Sequence, residues 1–304
     1  MALLVVRQIV LMLIILIIGC ITYKTKLISL DGGRQLSNLL LYVVNPLMVF
    51  MAFLQDYDSE LLKNFILTFI IGALAMGVLI PISFLLVPKK HLNACIERYA
   101  IVYNNVGFFG IPVVNAVLGS KGVLYLSAFI AAFNIYNWSH GVTTFRSGEE
   151  KISAKTVLKN MLNPTIIAAF LGFIFFFLRL RLPELPESAL QLVADTNTPL
   201  AMIIAGIALS QNKIADVLRN KRLPIIIFIS MFVTPALVII PIRFLPIDVD
   251  VKAVLTIALA CPAATTINSF ALTFNKDSGY AAQIYSVSTI FAALTIPLFM
   301  LLYR

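Results

Sequence analysis

The chain of 304 residues is 60% hydrophobic and only 12% charged, with a mean hydropathy of +0.96. Soluble domains carry about 25% charged residues, so this composition excludes an ordinary soluble protein and predicts an integral membrane protein. The formal net charge of +9 fits the Lys and Arg excess of cytoplasmic loops, and no basic surface domain is present that would bind nucleic acid.

Ten apolar segments are each long enough to span a bilayer, which takes roughly 20 residues. The predicted spans cover residues 3–23, 36–54, 62–87, 97–118, 122–145, 163–180, 188–210, 223–244, 251–274 and 279–302. A cleaved signal peptide is the alternative for the first span, since Arg7 precedes an apolar run that ends at Gly19 and Cys20. The three cysteines form no C-x-x-C pair and predict neither a disulfide nor a metal site.

Basic residues mark one side of the predicted bundle. Most Lys and Arg residues lie in the connections after spans 1, 3, 5, 7 and 9, for example Lys24, Lys89 and Lys221, whereas an acidic cluster around Asp56 lies on the other side. Positive residues collect on the cytoplasmic side. We therefore predict a multi-pass protein of the cell (inner or plasma) membrane, with both termini extracytoplasmic and the connector at 147–160 in the cytoplasm.

Prolines recur at matching places in the two halves of the chain. Pro46 of span two corresponds to Pro199 of span seven, and Pro112 of span four corresponds to Pro262 of span nine. Because five is an odd number, two sets of five spans must have opposite orientations. The sequence thus predicts an all-α fold of ten transmembrane helices, arranged as two inverted five-helix repeats in which broken helices 4 and 9 cross. The predicted boundaries are 1–146 for the first repeat, 147–160 for the connector and 161–304 for the second repeat.

The stretch NNVGFFGIPVVNAVLG, residues 104–119, concentrates polar and helix-breaking residues inside span four. A proline removes one backbone donor, and unpaired backbone groups are costly in hydrocarbon. If the spans break at Pro112 and Pro262, two helix N-termini face one point, and their partial positive charge suits a carboxylate. The alternative is that both prolines only kink their helices and that neighbouring Ser, Thr or Asn side chains satisfy the freed groups.

The polar and helix-breaking residues around these two prolines are the candidate site residues. Amides can donate hydrogen bonds to an anion, although they can equally hold helices together. The predicted substrate-binding residues are Asn104, Asn105, Gly110, Pro112, Asn115, Pro262, Thr265, Thr266 and Asn268. The candidates for the pathway or for coupling are Asn137, Asp195 and Gln283.

Acidic residues are scarce in the predicted spans, where we expect only Asp195. Proton relays and cation sites in membranes usually need buried carboxylates, so this scarcity weakens cation exchange and proton coupling. An anion that leaves a negative-inside cell gains about 2.3 kcal/mol per charge per 100 mV, and its export therefore needs no coupling ion. The spans lack the clustered His, Asp, Glu or Ser of an intramembrane enzyme and the charge rings of a channel.

The motifs of spans two, four, nine and ten occur together in one known family. Asn105 and the run Gly110-Ile111-Pro112 form an N-x-x-x-x-G-I-P pattern in span four. The stretches VVNPLMVF, CPAATTINSFALTFNKD and IYSVSTIFAALTIPLFMLLY match spans two, nine and ten in the same order. In these features the chain resembles the auxin efflux carrier family. Two features depart from plant members: Val106 stands where they have Thr, and the long central loop is missing. The short form resembles bacterial members, which are linked with small carboxylates such as malate or malonate.

The resemblance implies a fold like that of bile-acid symporters and Na⁺/H⁺ antiporters, with a scaffold part (1–60 and 161–212) and a transport part (61–146 and 213–304). It implies a homodimer in the lipid bilayer that carries small organic anions, most simply as an exporter, by an elevator-type motion. A sodium- or proton-coupled symporter of organic acids with the same fold is the alternative. No cofactor, metal or nucleic-acid partner is predicted, and the protein is not expected to be an enzyme.

Overall fold

The computed structural model describes residues 2–88, 90–146, 163–211, 217 and 219–303. The connector predicted at 147–160 lies outside the described residues. The described chain is helical and forms no strand beyond one isolated β-bridge. Within it, seven helices have the length and apolar composition needed to cross a membrane, as expected for a polytopic membrane protein.

Twelve helices, numbered here in chain order, make up this part of the chain. They are α1 (Ala2–Lys24), α2 (Leu30–Ala52), α3 (Ser59–Leu86), α4 (Ala94–Val102), α5 (106–118), α6 (120–145), α7 (Pro164–Phe177), α8 (Glu184–Leu209), α9 (Leu223–Arg243), α10 (Val249–Ala260), α11 (Thr266–Thr273) and α12 (Ser278–Met300). Gly119 separates α5 from α6 by adopting a positive φ of 59°, which glycine reaches without a Cβ penalty.

The number of long helices differs from the ten predicted spans for identifiable reasons. Spans four and nine are each interrupted, as α4–α5 and α10–α11, and α7 has only 14 residues. Helices α5 and α6 follow each other so closely around Gly119 that they form one apolar stretch, Val106–Phe145. Ten spans in two inverted repeats therefore stay a prediction.

Three prolines follow a widened helical turn rather than a break. The π turns are Leu40–Val44 before Pro46, Val106–Gly110 before Pro112 and Ile229–Val233 before Pro235. In each, the N–H just before the proline donates five residues back, as Ile111 does to the carbonyl of Val106. This wider turn makes room for a residue that lacks a donor and would clash with the carbonyl four positions back. The expectation that span four breaks at Pro112 was wrong, because the break lies at 103–105.

Helices α1 and α8 approach closely through two glycines. A Cβ placed on Gly206 of α8 would lie 2.1 Å from the carbonyl oxygen of Leu16, and one placed on Gly19 of α1 would lie 2.4 Å from that of Ile203. Small residues let helix backbones come together where lipid provides no hydrophobic driving force. These glycines therefore fix the distance between the first helix of the chain and a helix of its second half.

We expect Gly206→Ala to destabilise the protein by about 1–3 kcal/mol, because the two backbones must move apart. Thermal unfolding of the purified protein in detergent measures this effect. Gly77→Ala in α3 is the matched control, since its added Cβ would meet only the Tyr136 hydroxyl oxygen, at 3.3 Å. Equal melting temperatures for the two variants would contradict the close contact of α1 and α8.

An ionic cluster around a buried carboxylate joins α4, α9 and α12. The Arg222 guanidinium donates to both carboxylate oxygens of Glu97, at 3.0 and 2.8 Å, and the Tyr280 hydroxyl donates to the same carboxylate at 3.0 Å. The Glu97 side chain is only 2% exposed, and its hydrogen bond raises the pKa of the Arg222 guanidinium. Asp195 was expected to be the one acid within a span, but Glu97, at the edge of predicted span four, is the buried carboxylate, whereas Asp195 is exposed.

Removing the arginine should leave a buried carboxylate with one neutral partner. We expect Arg222→Gln to cost about 3–5 kcal/mol of stability, as for other broken buried pairs. Arg34→Gln is the control, because the Arg34–Asp31 pair is largely exposed and should contribute about 0–1 kcal/mol. Thermal unfolding in detergent is measured for both single variants. The double variant Arg222→Gln with Glu97→Gln should recover part of the stability that Arg222→Gln loses, because it no longer buries an unpaired charge. No difference between the two single variants would argue against this cluster.

Candidate functional site

The interrupted segments of spans four and nine lie against each other as a short antiparallel pair. The N–H of Asn105 donates to the carbonyl of Pro262 at 2.7 Å, and the N–H of Ala264 donates to the carbonyl of Tyr103 at 2.9 Å. Asn104 and Ala263 stand opposite each other between these two bonds. Each break thus supplies backbone partners for the other, as hydrocarbon surroundings require. We call this pair, residues 103–105 and 262–264, the crossing.

The side chain of Asn104 completes the end of α10. Its amide nitrogen donates to the carbonyl of Leu259 at 2.5 Å and to that of Ala258 at 3.2 Å. Both carbonyls belong to the last turn of α10, where helix carbonyls have no partner within the helix. Asn104 borders the cavity described below, but its donors are used for the protein's own structure.

Asn105 caps the start of α5 and leaves its amide nitrogen free. Its side-chain oxygen accepts from the N–H of Phe108 at 3.2 Å, as an N-cap residue does. Since a backbone N–H can only donate, this bond fixes which end of the amide turns away from the helix. The nitrogen makes no hydrogen bond within the described residues, and Asn105 borders the cavity.

The crossing is also held from α12 by a residue that sequence reasoning missed. Ser288 accepts a hydrogen bond from the N–H of Ala263 at 3.1 Å and donates to the carbonyl of Tyr285 at 3.0 Å. The side chain is buried. A serine inside an apolar helix gives no sequence signal that its partner is a broken backbone elsewhere.

A cavity of about 340 Å³ extends from the crossing. Five of the predicted site residues line it: Asn104, Asn105, Asn137, Thr265 and Thr266. Its other polar lining residues are Tyr42, Asn45, Trp138, Asn134, Asn163, Thr165 and Ser269, and its apolar wall includes Leu41, Phe108, Ile111, Ile130 and Phe133. None of the described lining residues carries a formal charge.

Most asparagines that line the cavity already accept a hydrogen bond through their side-chain oxygen. Five side-chain oxygens accept: Asn45 from Asn197, Asn105 from Phe108, Asn134 from Asn163, Asn137 from Tyr99 and Asn163 from Ile166. The amide nitrogens of Asn45, Asn105 and Asn137 make no hydrogen bond within the described residues. The polar lining is therefore rich in unused N–H donors, which is the chemistry that an anion needs.

Tyr99 connects three helices beside the cavity. Its hydroxyl lies 2.6 Å from the side-chain oxygen of Asn137 in α6 and 2.5 Å from the hydroxyl of Thr266 in α11. Tyr99 is fully buried in α4. These bonds orient Asn137 and Thr266 relative to the crossing.

Three further predicted residues belong to the crossing or to α5 without bordering the cavity. Pro262 contributes its carbonyl to the crossing. Gly110 packs against span nine, since a Cβ there would lie 3.4 Å from the sulfur of Cys261. Pro112 is buried within α5 after its π turn.

The remaining predicted residues lie elsewhere. Asn115 is half-buried on α5, and Asn268 has a buried side-chain oxygen that has no partner among the described residues. Asp195 is exposed in a turn of α8 and accepts from Gln191 at 2.6 Å, while Gln283 accepts from Asn220 at 3.1 Å. The structure does not bring these four residues to the cavity.

Two missed lining residues, Asn45 and Asn163, did have a recognisable signal. Each directly precedes a proline, a position typical of a residue that begins a helical turn. Asn163 is indeed the N-cap of α7. By contrast, Phe108, Phe133 and Trp138 look like ordinary apolar residues of a span, and only packing selects them.

A family model described as "Membrane transport protein" matches residues 4–300, nearly the whole chain. The chain belongs to this family, the auxin efflux carriers. Members of the family are membrane transporters, so the cavity at the crossing belongs to a transport protein. A comparison with curated proteins finds no match.

Asn104→Ala should remove the cap of α10 and expose two carbonyl groups to a medium of low polarity. We expect a loss of about 1–3 kcal/mol in stability, measured as thermal unfolding in detergent. Asn115→Ala is the control, because Asn115 makes no hydrogen bond within the described residues. A smaller effect of Asn104→Ala than of Asn115→Ala would contradict the capping role.

Proposed function

We propose that this member of the family is a secondary transporter that exports small organic anions, chiefly carboxylates, across the cell membrane. The observation that carries the proposal is the donor-rich cavity at the crossing. Ionised carboxylates accept hydrogen bonds and cannot donate them. The cavity is lined by asparagines whose side-chain oxygens already accept a hydrogen bond, so that their amide nitrogens are the groups left to bind a ligand.

The start of α5 adds to this preference for an anion. Val106, Gly107 and Phe108 border the cavity in the first turn of the helix. The N–H groups of Val106 and Phe108 already donate to Asn104 and Asn105, whereas the N–H of Gly107 makes no hydrogen bond within the described residues. The helix terminus also carries about half a positive charge. A Cβ on Gly107 would have no neighbour closer than the amide nitrogen of Asn45, at 3.7 Å, so a ligand can approach the backbone there.

The described lining residues of the cavity come from particular ends of its helices. From α6 it takes residues of the second half, Ile130 to Trp138, and from α7 it takes the first residues, Pro164 and Thr165. The early part of α6 and the whole of α10 contribute no lining residue among those described. A cavity lined from one half of the bundle suits one end state of an alternating-access transporter.

The polar contacts divide the described residues into two groups. Hydrogen bonds such as Asn197–Asn45 and Cys20–Gly206 stay within the proposed scaffold part (1–60 and 161–212). Bonds such as Arg222–Glu97 stay within the proposed transport part (61–146 and 213–304). Between the two parts, contacts include rings such as Phe65 against Phe53 and Phe173, and apolar contacts are not directional.

This division supports an elevator-type motion in which the transport part, with its cavity, slides along the scaffold part. Directional bonds would keep each part rigid, while apolar contacts between them would tolerate displacement. A homodimer formed through the scaffold part, in a membrane where both termini lie outside, completes the proposal.

The decisive test is Asn105→Asp. Aspartate is as good an N-cap as asparagine, so α5 should still form, but its carboxylate would repel a bound anion. Like charges placed together cost several kcal/mol, and we expect at least about a tenfold loss of transport. The measurement is flux of radiolabelled mono- and dicarboxylates through reconstituted proteoliposomes.

Ser29→Asp is the matched control, because Ser29 caps α2 by accepting from Gly32 at 3.0 Å and does not border the cavity. It adds the same charge in the same structural role and should leave transport unchanged. Wild-type flux in the Asn105→Asp variant would exclude the anion from this position. The absence of any carboxylate flux in the wild type would overturn the proposed function itself.

A further inference from the structure

One hydrogen bond joins the two proposed parts at the cavity. The amide nitrogen of Asn163, at the start of α7, donates to the side-chain oxygen of Asn134 in α6 at 3.1 Å. Both residues border the cavity. Among the side-chain hydrogen bonds and ion pairs that connect described residues far apart in sequence, this is the bond that runs from the scaffold part to the transport part.

Each of the two amides is oriented by its own helix. The nitrogen of Asn134 donates to the carbonyl of Ile130 at 2.8 Å, and the oxygen of Asn163 accepts from the N–H of Ile166 at 3.1 Å. The remaining oxygen of Asn134 and the remaining nitrogen of Asn163 therefore point in fixed directions, where they meet. Asn134 is only 8% exposed, so water competes little for this contact.

Such a bond cannot follow a sliding motion. A hydrogen bond is lost once its heavy atoms separate beyond about 3.5 Å, whereas an apolar contact can be replaced by the next one along a helix. Both amides are also held at a second point, which prevents them from reaching across a wider gap. Any displacement of α6 along α7 by several ångströms would break this contact first.

We propose that the Asn134–Asn163 pair is a latch that stabilises the conformation in which the cavity is open toward the start of α7. The inference rests on the proposed two-part motion. The pair breaks when the transport part moves and forms again on its return. A ligand in the cavity lies beside both amides, and a carboxylate that takes the Asn163 donor would release the latch at the moment of loading.

The test measures the access of a cysteine to each side of the membrane and needs no knowledge of the substrate. Ser269→Cys places the reporter in the cavity wall on α11, in a background in which Cys20, Cys95 and Cys261 are replaced. A membrane-impermeant maleimide is added to either side of sealed vesicles. The quantity compared is the labelling ratio, which is the rate of labelling from the side of the membrane nearer the start of α7 divided by the rate from the opposite side. Asn134→Ala should lower this ratio by about two- to tenfold, which is the effect of one net hydrogen bond.

Two further variants make the result specific. Asn163→Ser keeps an N-cap for α7 but is too short to reach Asn134, and it should shift the ratio in the same direction. The double variant should shift the ratio no further than either single one, because both remove the same bond. Ser139→Ala is the control on α6, since its hydroxyl bonds within its own helix, to the carbonyl of Ile135 at 2.5 Å.

The possible failures are distinguishable. The latch hypothesis is refuted if the labelling ratio stays at the wild-type value in both Asn134→Ala and Asn163→Ser, while the reporter is labelled from both sides. That result would leave the proposed transport mechanism intact. A reporter that only one side ever reaches, in wild type and variants alike, overturns the two-part motion and the latch with it.

Discussion

The structure depends on the requirement that no backbone polar group remain unpaired inside the bilayer. Two helices of this chain stop in the middle of apolar segments, and each would leave free N–H and C=O groups. They meet as an antiparallel pair in which Asn105 bonds to Pro262 and Ala264 bonds to Tyr103. The side chains of Asn104 and Ser288 satisfy further groups at the same place.

The same requirement determines the chemistry of the cavity. Asparagine has one accepting end and one donating end, and the helices use the accepting end for caps and interhelical bonds. Asn105 illustrates this, because its oxygen caps α5 and its nitrogen is left on the cavity side. The proposed preference for an anion therefore needs no lysine or arginine among the described lining residues. It also leaves the site overall neutral when empty, which lowers the cost of keeping it inside a membrane.

The proposed rigidity of each part and the proposed motion between the parts have separate physical origins. Directional contacts such as the Glu97–Arg222–Tyr280 cluster tie together helices of the proposed transport part. The glycine contact between α1 and α8 belongs to the proposed scaffold part and depends on close backbone packing. Among the described residues, the contacts across the boundary include rings such as Phe65 against Phe53, and the side-chain hydrogen bond that crosses it joins Asn134 and Asn163. The proposed elevator-type motion needs this combination, since one part must move past the other without unfolding either.

The sequence by itself determined the class of the protein, its helical character, its family and the two stretches that are interrupted. Composition and span length suffice for the first two, because lipid excludes charge and favours helices. Asn105, Asn137, Thr265 and Thr266 could be selected as polar groups near the prolines, and all four border the cavity. Sequence placed the first break wrongly, since a proline can be accommodated by a π turn, as Pro112 is.

Only the tertiary structure decided which polar residues are already occupied and which face the cavity. Asn104 and Asn105 are adjacent and chemically identical, yet the amide nitrogen of Asn104 caps α10, whereas that of Asn105 makes no hydrogen bond within the described residues. Asn45 and Asn163 come from distant helices, and the partner of Glu97 lies 125 residues away. These roles are set by contacts between segments far apart in the chain, and no local pattern of residues contains them.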